Sequence, residues 1–263
     1  MFFEKVIGGI PIVCSNVISA RHGFTTRAGG VSQGIFESLN LGENRGDDIE
    51  RVRENYRLAA GVFGVGEDDF VVSCQVHGKT VRVAAEEDRH TVGLPTGYEA
   101  DGLVTNIPGL PIMIFVADCV PVLLHDPENR VIGAVHCGWK SSVQDILGET
   151  VSKMVSLGAV PQAIHAAIGA SIGFDHFETD SDVPQAVSAY LGGETEGLFV
   201  RREDGKYLVD LRGANRRRLE QLGLLPHNID VSSECTMCST GKYWSHRATN
   251  GQRGSQGAMI ILD

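Results

Sequence analysis

Three residues, His77, Cys119 and His136, have the side-chain types and the surroundings from which a protein could hold a metal ion. His77 ends the β-rich run SCQVH just before a glycine, and the other two lie in the paired apolar runs of PIMIFVADCVPVLLHDPENRVIGAVHCGWK. Two imidazoles and one thiolate suit zinc, and three protein ligands leave the fourth tetrahedral position open, as catalysis requires. We therefore predict a catalytic zinc site at these three residues.

The two apolar runs predict an antiparallel hairpin that brings Cys119 and His136 together. Residues 126–129, DPEN, have the composition of a tight four-residue loop. A hairpin closing on this loop pairs His125 with Arg130 and sets Cys119 opposite His136, with Cβ atoms about 4.5 to 5.5 Å apart on one face.

Alternatives to this register stay open. Pro121 inside the first run is typical of a bulge, and a slip by one residue would exchange His136 for Cys137 or Val135. In the predicted register Cys137 points to the opposite face from its neighbour. Taken singly, a histidine is more often a packing residue and a cysteine more often a small buried apolar group.

Other residues are second candidates for chemistry. Asp118 and Asp101 could orient a ligand histidine or carry a proton, although carboxylates near turns more often bond to the backbone. The C-x-x-C pair Cys235 and Cys238 is a rival metal motif, but it lacks the second pair of a zinc ribbon and the βαβ context of a redox site. We interpret this pair as structural or incidental. None of the nine histidines forms H-x-H, so a four-copper oxidase has no support.

Three cations are candidates for binding an anion. Lys140 precedes a predicted helix opening at Ser141 and Ser142, where free N–H groups and a positive charge would meet after the His136 strand. Arg247 and Arg27 lie in glycine-rich loops, where arginines are usually only solvated.

The elements that must position these residues follow from periodicity. Helices are predicted over 48–61, 142–157, 182–191 and 211–222, each with a start signal and an apolar stripe. Between them lie β-rich runs that do not alternate strictly with helices, namely FVVSCQV, KTVRVA, GLVT, IMIFVADCVPVLL, VIGAVH and AIHAAIG. This order favours an α+β fold with mixed or antiparallel sheets, and the absence of repeats or linkers favours one domain over 1–263.

Composition limits the class of protein. An apolar content of 42% supports a full core, and 33 Asp+Glu against 23 Lys+Arg argues against a nucleic-acid or anionic-membrane partner. The sequence shows neither a secretory signal nor an apolar run long enough to span a membrane. Six cysteines without a disulfide framework fit a reducing compartment, so we expect a cytoplasmic protein.

A series of motifs spans the chain, in the order RHGFTTRAGGVSQGIFESLNLG, QVHG, EADGLVT, ADCVPVLL, AVHCGWK, AAIGASIG, CTMC and YWSHR. This series resembles the laccase-domain family of bacterial purine nucleoside phosphorylases, also known as polyphenol oxidase-like or YfiH-type. The resemblance spans essentially the whole chain. It implies a four-layer αββα sandwich and a zinc ion held by His77, Cys119 and His136, with copper as an alternative occupant.

The same resemblance implies the reaction. The expected activities are phosphorolysis of adenosine, inosine and methylthioadenosine, and hydrolytic deamination of adenosine. Catalytic roles fall to the three metal ligands and Asp118, and Asn40 joins Lys140, Arg247 and Arg27 as candidates for binding substrate or phosphate. The partners are then a purine nucleoside and phosphate. A homodimer is the candidate assembly.

The chain departs from the family pattern at several positions. It reads AVHCGWKS where relatives usually read AVHAGWRG, so Lys140 replaces an arginine and can hold phosphate only as a point charge. Ser171 stands where relatives often have cysteine, and the segment RGSQGAMI, with Ser255, differs from the usual Gly-Arg.

Three alternatives remain from the sequence. Cys119 could be a thiolate nucleophile with His136 as base in an amide hydrolase acting on cell-wall precursors. A zinc-stabilised interaction protein ranks last, because structural zinc normally has four protein ligands. Polyphenol oxidase activity would reflect adventitious copper at the His/Cys site.

Overall fold

The computed structural model describes residues 1–263 and contains five α-helices and fourteen β-strands. The helices are α1 Ile49–Phe63, α2 Trp139–Val143, α3 Ile146–Ser156, α4 Asp182–Tyr190 and α5 Leu211–Gln221. The strands are β1 Phe2–Ile7, β2 Ile10–Ser15, β3 Arg21–Thr25, β4 Val81–Val83, β5 Gly102–Thr105, β6 Ile112–Val116, β7 Val120–Asp126, β8 Val131–Cys137, β9 His165–Ile168, β10 Glu178–Thr179, β11 Phe199–Arg201, β12 Tyr207–Val209, β13 Ile229–Val231 and β14 Gln256–Ile261. None of the helices is both long and apolar enough to cross a membrane.

The strands form three sheets. One is a five-stranded antiparallel sheet in the order β1-β2-β3-β14-β6. The second has six strands in the order β13-β9-β7-β8-β5-β4 and is parallel only at its two outermost pairs. A small antiparallel sheet, β10-β12-β11, stands apart from both. The predicted α+β class with mixed and antiparallel sheets is confirmed.

Alternating side chains divide the core into layers. On β7, Leu123 packs between the two large sheets, whereas Val122 and Leu124 face the outer cluster that includes α3 and α5. On β14, Ala258 packs between the sheets, whereas Met259 faces α1. The order of layers is therefore α1, five-stranded sheet, six-stranded sheet, and the helices α3 and α5. Full burial of each large apolar side chain stabilises this stack by about 1.5 to 3 kcal/mol.

Three of the predicted helices form where local signals place them. The Asp48 carboxylate accepts a hydrogen bond from the Glu50 N–H at the start of α1, and Asp210 accepts one from Gly213 at the start of α5. The α4 helix begins directly after Ser181, as predicted. These starts depend on neighbours within three residues, which is why the sequence alone indicates them.

The single helix predicted over 142–157 is wrong, because the chain makes two helices, α2 and α3, with a break at Asp145. Asp145 has a φ of 67°, and its carboxylate accepts a hydrogen bond from Gly148 and a two-pronged ion pair from Arg218. The carboxylate thus caps α3 and is held by a residue on α5. Consequently Lys140 lies inside the short α2, whose N-cap is Gly138, rather than before a helix at Ser141.

The strand predicted from FVVSCQV is also wrong, since Val71 and Cys74 make only isolated bridges. Gln75 occupies the place of a neighbouring strand: its side-chain amide donates to the Phe115 carbonyl, and its side-chain oxygen accepts from the Phe115 N–H. A side chain therefore satisfies backbone groups of β6 that a neighbouring strand would otherwise pair with.

The predicted hairpin forms, but its register differs by two residues. Asp126 pairs with Val131 and Pro121 pairs with His136, so Cys119 lies just before β7 and outside the ladder. The Asp126 carboxylate accepts two backbone N–H groups of the loop, and Arg130 adopts a φ of 53°, which moves the loop one residue along. A shift of two keeps every side chain on its predicted face.

Candidate active site

The three predicted ligands converge at the start of β7 and the end of β8. Cys119 Sγ lies 3.8 Å from His77 Nε2, and the rings of His77 and His136 are edge to face with centroids 4.7 Å apart. One ligand atom from each of the three lies within 4.8 Å of the others. Two imidazole nitrogens and one sulfur at these separations fit a tetrahedral zinc site with one open position.

A buried carboxylate, Asp101, organises both histidines. Asp101 accepts a 2.7 Å hydrogen bond from His136 Nδ1, which leaves Nε2 of that ring for a metal. The same carboxylate accepts the backbone N–H groups of Val76, His77 and Gly78. These three bonds hold His77 at a φ of 59°, a conformation that costs a non-glycine residue about 1 to 2 kcal/mol. At many metal sites a carboxylate in this position fixes the ring orientation of a histidine ligand, and Asp101 is placed to do the same here.

Gly138 permits this close approach. A Cβ atom at Gly138 would lie 2.8 Å from His77 Cδ2 and 3.4 Å from Cys119 Sγ. The backbone turns here from β8 into α2, so the glycine lets the chain pass directly beside two of the ligands.

The charges of Cys119 and His136 are coupled. Burial raises the pKa of the Cys119 thiol, but the charge and hydrogen bonds of His136 and His77 outweigh it and lower the pKa to about 6. Burial lowers the pKa of His136, but the Cys119 thiolate and the Asp101 carboxylate raise it to about 9. Without a metal, the two groups therefore form a thiolate–imidazolium pair near neutral pH. Cys137 faces the outer core, and burial raises the pKa of its thiol.

Asp118 positions loops. Its φ is 79°, and its carboxylate accepts hydrogen bonds from Thr236 Oγ1, Ser245 Oγ and the Arg247 backbone N–H. Because Cys119 is the next residue, Asp118 ties the ligand loop to two loops from the end of the chain.

A cavity of about 660 Å³ opens beside the three ligands, a size typical of small-molecule sites. Its lining combines polar and apolar residues from 42–45, 49, 72–75, 77, 90, 93–96, 115–117 and 119, together with His136, Arg253 and Ser255.

Arg253 and Arg45 supply positive charge to the cavity wall. Arg253 is buried, and its Nη1 donates to the Gly254 carbonyl and to Ser255 Oγ. Its Nε is also buried and has no hydrogen-bond partner. Burial, reinforced by the charge of Arg45, lowers the pKa of Arg253 to about 10, so it stays charged at neutral pH. Sequence reasoning missed both arginines, although Arg253 lies in the same glycine-rich loop as Arg247.

The four residues predicted to bind substrate or phosphate lie outside the cavity lining. Arg27 donates to the Thr240 carbonyl and stacks on Trp244, and the Arg247 guanidinium donates to the carbonyls of His176 and Glu178. Lys140 is exposed on α2. The buried Asn40 accepts hydrogen bonds from Gly42 and Ser255, so it positions two residues of the wall. Direct binding by these four residues stays a prediction.

With this geometry established, comparison with known proteins places the chain in a family. The family model described as multi-copper polyphenol oxidoreductase laccase matches residues 21–263, so the chain belongs to this family. The chain is 41% identical to a purine nucleoside phosphorylase of Deinococcus radiodurans, over 97% of the chain and 94% of the relative. A purine nucleoside phosphorylase of Corynebacterium glutamicum is 36% identical over 91% of the chain and 93% of that protein.

Solved structures agree. The hypothetical protein YfiH of Bacillus licheniformis superimposes with a TM-score of 0.93 at 29% identity, covering 99% of each chain. YlmD of Geobacillus stearothermophilus gives a TM-score of 0.93 at 30% identity, covering 99% of this chain and 98% of that one. The family resemblance found from the sequence motifs is confirmed.

Proposed function

We propose that this chain is a metal-dependent purine nucleoside enzyme. It cleaves adenosine, inosine and methylthioadenosine by phosphorolysis, giving the free base and ribose 1-phosphate or its methylthio analogue, and it deaminates adenosine to inosine. The observation that carries the proposal is that His77, Cys119 and His136 open into the same cavity as the buried Arg253. The names of the relatives support the phosphorolysis.

Arg253 and Arg45 are the groups best placed to hold phosphate. Arg253 lines the cavity, and only its Nη1 is used by Gly254 and Ser255, so its Nη2 can donate to a phosphate oxygen without loss of those bonds. A guanidinium grips two oxygens, and a charge-assisted bond in a sheltered cavity is stronger than one in water. In phosphorolysis a phosphate oxygen forms a bond to C1′ of the ribose, and the electron pair of the broken glycosidic bond leaves with the base.

The donor set His77, Cys119 and His136 would hold zinc, with Asp101 orienting His136. When bound, the ion supplies a Lewis acid that activates water for attack on C6 of adenine. The protein contributes ring orientation through Asp101, close packing through Gly138, and a Cys119 that is already a thiolate at neutral pH. Copper(II) binds nitrogen and sulfur donors more tightly than the other divalent first-row metals do. Copper would therefore bind adventitiously to the same three residues and give polyphenol oxidase activity.

The test is to incubate purified zinc-loaded protein with adenosine, inosine or methylthioadenosine, with and without phosphate, and to identify the products by chromatography. We expect free base only when phosphate is present, and inosine from adenosine in both conditions. The matched control is Cys119→Ala, which should lose both activities. Absence of base release from all three nucleosides would refute the phosphorolysis.

One observation favours a second candidate, an amide hydrolase acting on cell-wall precursors. Asp101, His136 and Cys119 follow one another as orienting group, base and nucleophile, and the Cys119 pKa of about 6 suits a reactive thiol. Anaerobic metal analysis combined with alkylation distinguishes the two candidates. A stoichiometric metal that protects Cys119 from iodoacetamide supports the ligand role, whereas a metal-free, alkylated Cys119 in the active protein supports the nucleophile.

A further inference from the structure

A second group of metal-type donors lies outside the cavity, at His176, Cys235 and Cys238. His176 ends a short 3-10 helix after β9, Cys235 forms an isolated bridge after β13, and Cys238 lies in the turns that follow. Cys235 Sγ is 3.7 Å and Cys238 Sγ is 3.5 Å from His176 Nδ1. The third ligand is 59 residues from Cys235 in sequence, so the C-x-x-C motif alone does not reveal it.

The separations match a metal site. Zinc bonds of about 2.3 Å to sulfur and about 2.0 Å to nitrogen, at a tetrahedral angle, set sulfur and nitrogen about 3.5 Å apart. Both sulfurs lie nearest to His176 Nδ1, and Cys238 Sγ is also 4.0 Å from Nε2, so the three donors face one another. A cation between the three atoms satisfies all of them.

The backbone lies close to the sulfur of Cys235. The Gly173 N–H donates a hydrogen bond of 3.1 Å to Cys235 Sγ. A Cβ atom at Gly173 would lie 3.2 Å from the same sulfur, so the glycine allows this contact. Ser171 fixes the strand-like approach by bridging to Cys235.

The surroundings do not resemble a redox site. Reactive C-x-x-C pairs normally open a helix, whose N-terminus stabilises the first thiolate. Here residues 236–240 form turns, and the next regular element is β14. A disulfide would also leave His176 without a role.

We propose that His176, Cys235 and Cys238 bind a second metal ion, Zn²⁺, which holds together the loops next to the first site. Thr236, between the two cysteines, donates a 2.6 Å hydrogen bond to Asp118 Oδ1, beside Cys119. Arg247 donates to the His176 carbonyl. The ion therefore fixes the same loops that hydrogen-bond to Asp118. Cys238 is exposed, so solvent reaches the three donors from one side.

The experiment measures zinc stoichiometry on the full chain. Reduced, chelator-treated protein is incubated with Zn²⁺, desalted and examined by elemental analysis. We expect two equivalents in the parent, one in Cys238→Ser, one in Cys119→Ser and none in the double variant. Cys74→Ser, which removes the other exposed thiol, is the matched control and should retain two.

A second variant guards against misfolding. His176→Gln keeps both cysteines and should also lose one equivalent, with an unchanged circular dichroism spectrum. Cobalt substitution adds a signature, since Cys119→Ser should retain thiolate-to-cobalt absorption from the second site. The proposal fails if the parent binds one equivalent that only the Cys119 substitution removes, or if peptide mass analysis finds Cys235 and Cys238 joined as a disulfide in the reduced, zinc-treated protein.

Discussion

Asp101 Oδ1 lies 2.7 Å from His136 Nδ1, while the same carboxylate binds the backbone of His77. One buried charge thus sets the ring of one ligand and the loop of another. Asp101 therefore holds the proposed zinc site in place through both histidines.

Asp101→Asn should therefore weaken zinc binding about 10- to 100-fold, the range measured for partners that orient metal ligands. The amide loses the negative charge that supports the His136 ring and can accept with only one of its two former oxygens. The measurement is the zinc dissociation constant, obtained by competition with a chromophoric chelator.

Asp126→Asn is the matched control for that substitution. Asp126 is equally buried and also accepts three backbone N–H groups, but it lies at the far end of the β7–β8 hairpin. The Asp126→Asn substitution should lower the free energy of unfolding and leave zinc affinity unchanged. Equal losses of zinc affinity in the two variants would mean that Asp101 acts through stability alone.

The thiol of Cys119 gives a pH prediction for the metal-free protein. Its folded-state pKa of about 6 lies below the ordinary 9, so the thiolate is present above about pH 6 and is lost as the pH falls through that value. The rate of Cys119 alkylation, followed by peptide mapping, should therefore rise with a midpoint near pH 6.

Removing the positive partner should move that midpoint. In His136→Ala the thiolate loses its largest favourable interaction while burial still opposes ionisation, so the midpoint should shift upward by more than one pH unit. His90→Ala removes another histidine of the cavity wall, whose ring contacts Glu43, and should leave the midpoint in place. A midpoint that His136→Ala does not move would contradict the thiolate–imidazolium pair.

Much of the site could be predicted because its determinants are local. The apolar pattern of β7 and β8 fixes which face each side chain takes, so Cys119 and His136 meet even though the register differs by two residues. Helix starts at Asp48 and Asp210 depend on the next few residues.

What the sequence could not reveal depends on distant partners. The break before α3 follows from Asp145 pairing with Arg218, which is 73 residues further along the chain. Arg253, one of two arginines in the cavity wall, is distinguished from other loop arginines only by its burial. His176 likewise becomes a candidate ligand only when the fold brings it to two cysteines.

Substitution of Cys137 tests which face of β8 this residue occupies. Cys137 is fully buried in the outer core, so Cys137→Ala should lower the free energy of unfolding by about 1 to 2 kcal/mol and leave zinc content unchanged. Urea denaturation measures the free energy of unfolding, and elemental analysis measures the zinc content. In the paired variant, His136→Ala, zinc at the first site should disappear. Loss of zinc in Cys137→Ala with retention in His136→Ala would show that the two residues exchange faces.

The last prediction separates two places for phosphate. The cavity geometry favours Arg253, whereas the sequence made Lys140, Arg247 and Arg27 the candidates. If Arg253 holds phosphate, Arg253→Met, which keeps most of the side-chain volume, should raise the apparent KM for phosphate about 10- to 100-fold, corresponding to roughly 1.5 to 3 kcal/mol for a hydrogen bond to a charged group. Phosphate-independent deamination of adenosine should change little, because it needs no anion.

Lys140→Ala is the decisive comparison, since this lysine is exposed on α2 and outside the cavity lining. We expect it to leave the phosphate KM within about twofold of the parent, because the charge of an exposed lysine is largely screened. Initial rates for both reactions at varied phosphate concentration, measured for the parent and the two variants, decide between the residues. A tenfold rise in the phosphate KM of Lys140→Ala, with none in Arg253→Met, would move the phosphate to α2. Equal losses in both reactions of Arg253→Met would make Arg253 a wall of the common site rather than a phosphate ligand.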